Sequence, residues 1–149
     1  FDVKLENTLK EINSNDAYFI GMKSAIANII SSGAKPILLL DNPNLTNIKA
    51  NCSTRSDYLP INGSCDLNVA QVEKDNIQFN NLLTRLKDVY PALIVIDPNL
   101  LICNKEICHT EINGIPLFRD KDSNHLNYMG SQEIGRYYLQ KYQNPLSQL

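Results

Sequence analysis

Residues 91–98 read Pro91-Ala92-Leu93-Ile94-Val95-Ile96-Asp97-Pro98. Five apolar residues follow one another with no polar alternation. Such a run suits a strand buried on both faces, the habit of parallel sheets covered by helices. Pro91 separates it from the helical pattern before it, and Asp97-Pro98 ends it. A second run of the same kind, Pro36-Ile37-Leu38-Leu39-Leu40, lies upstream. Before it, Asp16 or Asn15 can cap a helix whose apolar stripe is Phe19, Met22, Ile26, Ile29 and Ile30. That spacing follows one helical face. Ser31-Ser32-Gly33 closes the helix, with Gly33 suited to the left-handed position past its end. A helix from about Asn68 to Val89 is expected from Val69, Val72, Asn76, Phe79, Leu82, Leu83 and Leu86. A short helix is expected around Val3–Ile12. Asn113-Gly114 is a hairpin-turn dipeptide, and Pro116 in its second arm confines that arm to a sheet edge. Asn127 can cap a last helix with Gly130, Ile134, Tyr137 and Tyr138 inward. The order helix, strand, long loop, helix, strand, hairpin, helix predicts an α/β fold with a parallel sheet flanked by helices.

In such sheets, sites form beyond the carboxyl ends of the strands. Three polar stretches fall there: Asp41-Asn42-Pro43-Asn44, Asp97-Pro98, and the loop Asp122-Ser123-Asn124-His125. The last is chemically the most telling. A carboxylate three residues before a histidine can accept the Nδ1–H of the imidazole, which leaves Nε2 free to take a proton from a nucleophile. Asp122 and His125 are therefore the candidate catalytic pair. Read without its surroundings, the same loop is an exposed turn leading into a capped helix. Asp120 reads as a solvated loop residue, and His109 as a surface hairpin histidine.

The bulk of the chain limits the alternatives. At 149 residues it is long enough to bury a core. Its net charge of −2, with scattered Lys and Arg, gives no nucleic-acid surface. No apolar run reaches membrane-spanning length, and no signal peptide is evident. The chain begins at Phe1 rather than methionine, which reads as processing or as a piece of a longer polypeptide. Four cysteines, Cys52, Cys65, Cys103 and Cys108, point to disulfides and an oxidising compartment. Three pairings are possible; Cys52–Cys65 with Cys103–Cys108 is the local one and the expected one. The alternatives are four buried thiols, or a zinc site with His109, the latter weakened by the lack of a Cys-x-x-Cys knuckle.

Asp122-x-x-His125-Leu126-Asn127-x-x-Gly130 resembles the last motif of the SGNH (GDSL-like) esterase and acyltransferase superfamily. Leu101-Ile102-Cys103, Cys108, Ile115-Pro116-Leu117-Phe118-Arg119, and Pro43 with Cys52-x-x-Arg55 and Cys65 are similar to the SGNH domain fused to bacterial membrane O-acetyltransferases. The resemblance spans roughly residues 36–140. It implies a flavodoxin-like three-layer fold and a Ser-His-Asp acyltransferase that needs no cofactor or metal. Its acceptor would be a sugar hydroxyl of a surface polysaccharide such as lipopolysaccharide O-antigen. It also implies a periplasmic domain tethered to the inner membrane through an upstream membrane acyltransferase domain. Asn42, Arg55 and Arg119 are candidate substrate contacts.

The departure from the family is that no Gly-Asp-Ser turn occurs anywhere in the chain. Residues 1–149 are thus expected to be the C-terminal portion of one SGNH-like domain, incomplete at its N-terminal side. The serine would lie outside the chain, and the chain by itself would be inactive. Strands this apolar are not expected at a bare sheet edge, so a further segment or partner should complete the sheet. The alternative is a non-catalytic SGNH-like module that binds glycan or holds a partner.

Overall fold

The computed structural model describes residues 14–45, 65–120, 122 and 124–148. The expected helix at Val3–Ile12, Arg55, and the Cys52 half of the first cysteine pair lie outside these residues. Cys65 itself is disulfide-bonded. The chain divides into two compact units, Phe1–Leu38 with Asn76–Ile94, and Leu39–Asp75 with Val95–Leu149.

The first unit contains α1 (Ser14–Ser31). Its end is a Schellman motif: Gly33 N–H donates to the Ile30 carbonyl at 3.0 Å and Ala34 N–H to the Ile29 carbonyl at 3.2 Å. Gly33 has φ 84°, where a side chain would be strained. Ile26 faces inward, as does Leu86 on the opposing helix. The rest of the expected stripe is less covered. Phe19 and Met22 are half-buried, whereas Ile29 and Ile30 are exposed, as is Ile20 on another face of the helix. The helix is apolar on more than one face, so periodicity did not single out one buried side. Arg85 pairs with Asp16 at 3.1 Å and lies over the Phe19 ring, and Tyr90 Oη donates to the Lys23 carbonyl.

The helix expected over Asn68–Val89 is broken. It is preceded by strand β2 (Leu67–Asn68) and consists of α2 (Val69–Asp75) and α3 (Ile77–Val89). The break is Asn76, at φ −97° and ψ 3°. Asn76 is a polar member of an otherwise apolar stripe and has weak helix propensity. The two halves also belong to different units, so each follows its own core.

Strands β1 (Ile37–Leu39) and β3 (Ile94–Ile96) form a short parallel sheet. Leu40 N–H donates to the Ile96 carbonyl at 2.9 Å, just past both strands. The fold is α/β, with the strands where their apolar runs predicted them. Leu39 is 67% exposed, more than its place in such a run led us to expect.

The second unit holds the main core: Leu45, Leu67, Ile102, Cys108, Leu117, Phe118 and Ile134. Ile102 comes from the short helix α4 (Asn99–Ile102). Strand β4 (Ile107–Cys108) pairs antiparallel with β2 in the register Leu67↔Cys108. The Cys103–Cys108 disulfide forms as expected. Strands β5 (Glu111–Ile112) and β6 (Ile115–Pro116) make the expected hairpin. Asn113 and Gly114 sit at φ 53° and 77°, the left-handed pair a two-residue hairpin loop requires. Helix α5 (Tyr128–Lys141) follows. Among the described residues, no helix is long and apolar enough to cross a membrane.

Candidate active site

The site is built on the last strand-like segment and the start of α5. Asn127 uses its polar groups almost completely. Its side-chain oxygen accepts from Gly130 N–H at 2.7 Å, capping α5. Its carboxamide nitrogen donates to the carbonyls of Pro116 and Phe118 at 2.7 and 2.9 Å. Its backbone N–H donates to the Leu117 carbonyl at 2.8 Å. One asparagine thus starts the helix and fastens it to residues 116–118. Gly130 completes the contact. It is buried, and a Cβ there would meet the carbonyl oxygen, Cα and carbonyl carbon of Leu117, the farthest of the three at 2.8 Å. The sequence expectation that Gly130 allows close packing holds, with the Leu117 backbone as the surface it packs on.

The loop between is closed at its base by the pairing of Phe118 with Leu126 and by Arg119 N–H donating to the His125 carbonyl at 2.9 Å. Within it, Asp122 turns back on the chain. Asp122 Oδ1 accepts the backbone N–H groups of Asn124 and His125, both at 3.0 Å. His125 Nδ1 lies 2.9 Å from Asp122 Oδ2 and 3.1 Å from Oδ1. A nitrogen between two carboxylate oxygens must carry the proton, so this contact sets the tautomer and leaves the lone pair on Nε2. The His125 side chain is 64% exposed, and Nε2 makes no hydrogen bond among the described residues. An imidazole held this way can accept a proton at Nε2 from a group arriving from solvent or from another segment.

The Asp122 carboxyl is pulled down from 3.8 to about 2, chiefly by the Asn124 and His125 backbone N–H groups, with the imidazole adding to them. The folded value lies below that of an unfolded aspartate, about 3.9. The loop's contribution to stability is therefore complete above about pH 4 and is lost as pH falls through about 2. A carbon-detected titration of the Asp122 carboxylate should give a midpoint near the lower value. A midpoint near 3.8 would mean that the turn is not formed in solution.

Of the candidate substrate contacts, Asn42 is committed to the protein. Its carboxamide nitrogen donates to the Asn124 carbonyl at 2.8 Å and makes a longer contact with the Pro43 carbonyl. The backbone of Arg119 closes the histidine loop, while its side chain is exposed. Asp120 lies exposed in a turn.

Two features were missed. Asn99 donates its carboxamide to the Asp41 carbonyl and to Asp97 Oδ1, both at 2.9 Å, and so laces the ends of β1 and β3 together. Asp97-Pro98 was legible as the end of the strand, but Asn99 and its long-range partner were not. His109 Nδ1 lies 3.4 Å from Asp66 Oδ2. Its carboxylate partner is set by the Leu67↔Cys108 register, which brings the residues beside those two positions together.

A family model, SGNH domain (fused to AT3 domains), matches residues 2–140. This span extends further toward the N-terminus than the region over which the motifs alone carry the resemblance. No curated protein and no solved structure gives a significant match. With nearly the whole length matched and the Asp-x-x-His loop folded into a carboxylate–imidazole pair, the chain belongs to the SGNH domain family that occurs fused to AT3 domains.

Proposed function

We propose that this chain carries the acid–base part of an O-acyltransferase site that moves an acetyl group to a sugar hydroxyl of a bacterial surface polysaccharide. The observation that carries this reading is the Asp122–His125 pair, with Nδ1 occupied and the imidazole exposed. His125 is the general base and Asp122 its orienter. Residues 1–149 form the C-terminal portion of the domain, and the nucleophilic serine comes from outside them. In support, no Gly-Asp-Ser turn occurs in the sequence.

In the first half-reaction the serine Oγ bonds to the acetyl carbonyl carbon. Its proton passes to His125 Nε2, and the imidazolium returns that proton to the donor's leaving group. In the second, the sugar hydroxyl attacks the acetyl-serine, loses its proton to Nε2, and the serine recovers one from the ring. Asp122 stays ionised throughout, consistent with its depressed pKa. Fusion to an AT3 domain supports membrane tethering and an acyl supply from that domain. We place the SGNH portion on the periplasmic side, in keeping with its disulfide chemistry.

The test is chemical. The longer polypeptide that includes the AT3 domain is expressed in a bacterium whose surface polysaccharide lacks O-acetyl groups. The purified polysaccharide is then examined by proton NMR. New acetyl ester signals on sugar carbons are expected. A folded, membrane-inserted protein that leaves the polysaccharide unmodified would rule the proposal out.

A further inference from the structure

We infer that Asn42 is a positioning residue for His125, acting through the peptide that precedes the histidine; the inference takes His125 as the base of the proposed reaction. The two residues are far apart in sequence, yet both belong to the second unit. The peptide joining Asn124 to His125 is held at both of its polar atoms. Its N–H donates to Asp122 Oδ1 at 3.0 Å, and its carbonyl accepts from Asn42 Nδ2 at 2.8 Å. With the carbonyl after His125 also held, by Arg119 N–H, both peptides flanking the histidine Cα are fixed in orientation. Asp122 then needs only to set the ring torsions. Without Asn42, the peptide would be gripped from inside its own loop alone and could rotate as that loop breathes.

Asn42 is itself fixed from the sheet. Its backbone N–H donates to Asp41 Oδ1 at 2.9 Å, and the Asp41 carbonyl accepts from Asn99. Asn99 in turn is held by Asp97 Oδ1, on both its backbone N–H and its carboxamide, at 2.9 Å each. A continuous set of hydrogen bonds thus runs from the carboxyl ends of β3 and β1 to the histidine. The loop carrying the base is referenced to the sheet edge as well as to α5. Asn42 gives its shorter carboxamide hydrogen bond to this task, and the other goes to the Pro43 carbonyl, which is why we assign it to positioning and not to substrate contact.

The test combines spectroscopy on the full chain with kinetics on the longer, AT3-containing polypeptide. His109 and His125 are the only two histidines, so the His125 ring nitrogens are assigned by comparison with a His109→Gln variant. In the unsubstituted chain, the Asn42 side-chain amide protons should be protected from exchange. This readout does not depend on any variant folding. In Asn42→Ala and Asn42→Asp, the amide spectrum should stay dispersed while the Nδ1–H tautomer of His125 loses its dominance.

Turnover in the longer polypeptide should fall about 100-fold in kcat with KM little changed, the size expected for a misplacement of about 1 Å. An unprotected Asn42 amide, an unchanged imidazole signature, or a raised KM at constant kcat would each overturn the assignment. Should His125→Ala retain turnover while Asn42→Ala still disturbs the ring, the positioning role stands and the catalytic reading falls.

Discussion

Replacing His125 by alanine is expected to lower acetyl transfer by about two to four orders of magnitude, the usual cost of losing a general base. In the proposed reaction Nε2 accepts the proton in both half-reactions, so each loses the same group. Asp122→Asn should cost a comparable amount by a different route. An asparagine presents an amide N–H or a weaker acceptor to Nδ1 and no longer selects the tautomer with the lone pair on Nε2; a loss of about 10⁴-fold is the precedent for that change. Because the two side chains act as a unit, the double substitution should be little worse than either single one. Acetyl ester formed per minute, normalised to folded protein, is the measurement. Multiplicative losses in the double variant, or activity within about threefold of normal for His125→Ala, would contradict the assignment of roles.

The second large effect concerns Gly130. Alanine in a helix is ordinarily favoured over glycine by about 1 kcal/mol. Here the added Cβ would collide with three backbone atoms of Leu117, and backbone cannot rotate away as a side-chain tip can. Overpacking of this kind costs about 1–3 kcal/mol and sometimes more. Three hydrogen bonds from Asn127 hold the two segments together against separation, which places Gly130 at the upper end. Gly130→Ala is therefore expected to destabilise by about 2 kcal/mol net of the helix gain. Gly130→Val should do worse. The check is a urea titration: the midpoint should fall with little change in slope. A midpoint that stays put or rises would show that α5 can slide off the Leu117 backbone without penalty. Such a slide would also move the cap residue Asn127, two positions after His125, so activity should fall with stability.

What could be read from the sequence was whatever depends on neighbours. The unbroken apolar runs at 36–40 and 92–96 gave the strands, and Asn113-Gly114 gave the hairpin turn. Asp122 and His125 meet within a single loop, so their spacing sufficed to predict the contact. What stayed hidden depends on distant pairings. Asp66 meets His109 because β2 and β4 pair, and Asn42 meets Asn124 across most of the chain. No periodicity carries that information. The break at Asn76 was hidden for a related reason. Residues on its two sides serve separate cores, whereas the helical spacing of the stripe continues across it with a single polar member. On α1, hydrophobicity spread over several faces made the stripe a poor guide to burial, as exposed Ile29 and Ile30 show.

The β5–β6 turn has a bearing on the shelf life of the protein. An Asn–Gly pair is the dipeptide most prone to spontaneous deamidation, because the following amide nitrogen can attack the asparagine side chain and expel ammonia. At Asn113 that side chain is tied to α5: its nitrogen donates to Tyr137 Oη at 2.9 Å and to Glu133 Oε1 at 3.2 Å. Loss of ammonia would leave a carboxylate facing the Glu133 carboxylate, which is ionised beside Arg136, and the turn would be pushed off α5. The hydrogen bonds that dock the hairpin thus also slow its chemical ageing, and a preparation kept long at mildly alkaline pH should lose the clamp between the hairpin and α5 as Asn113 deamidates.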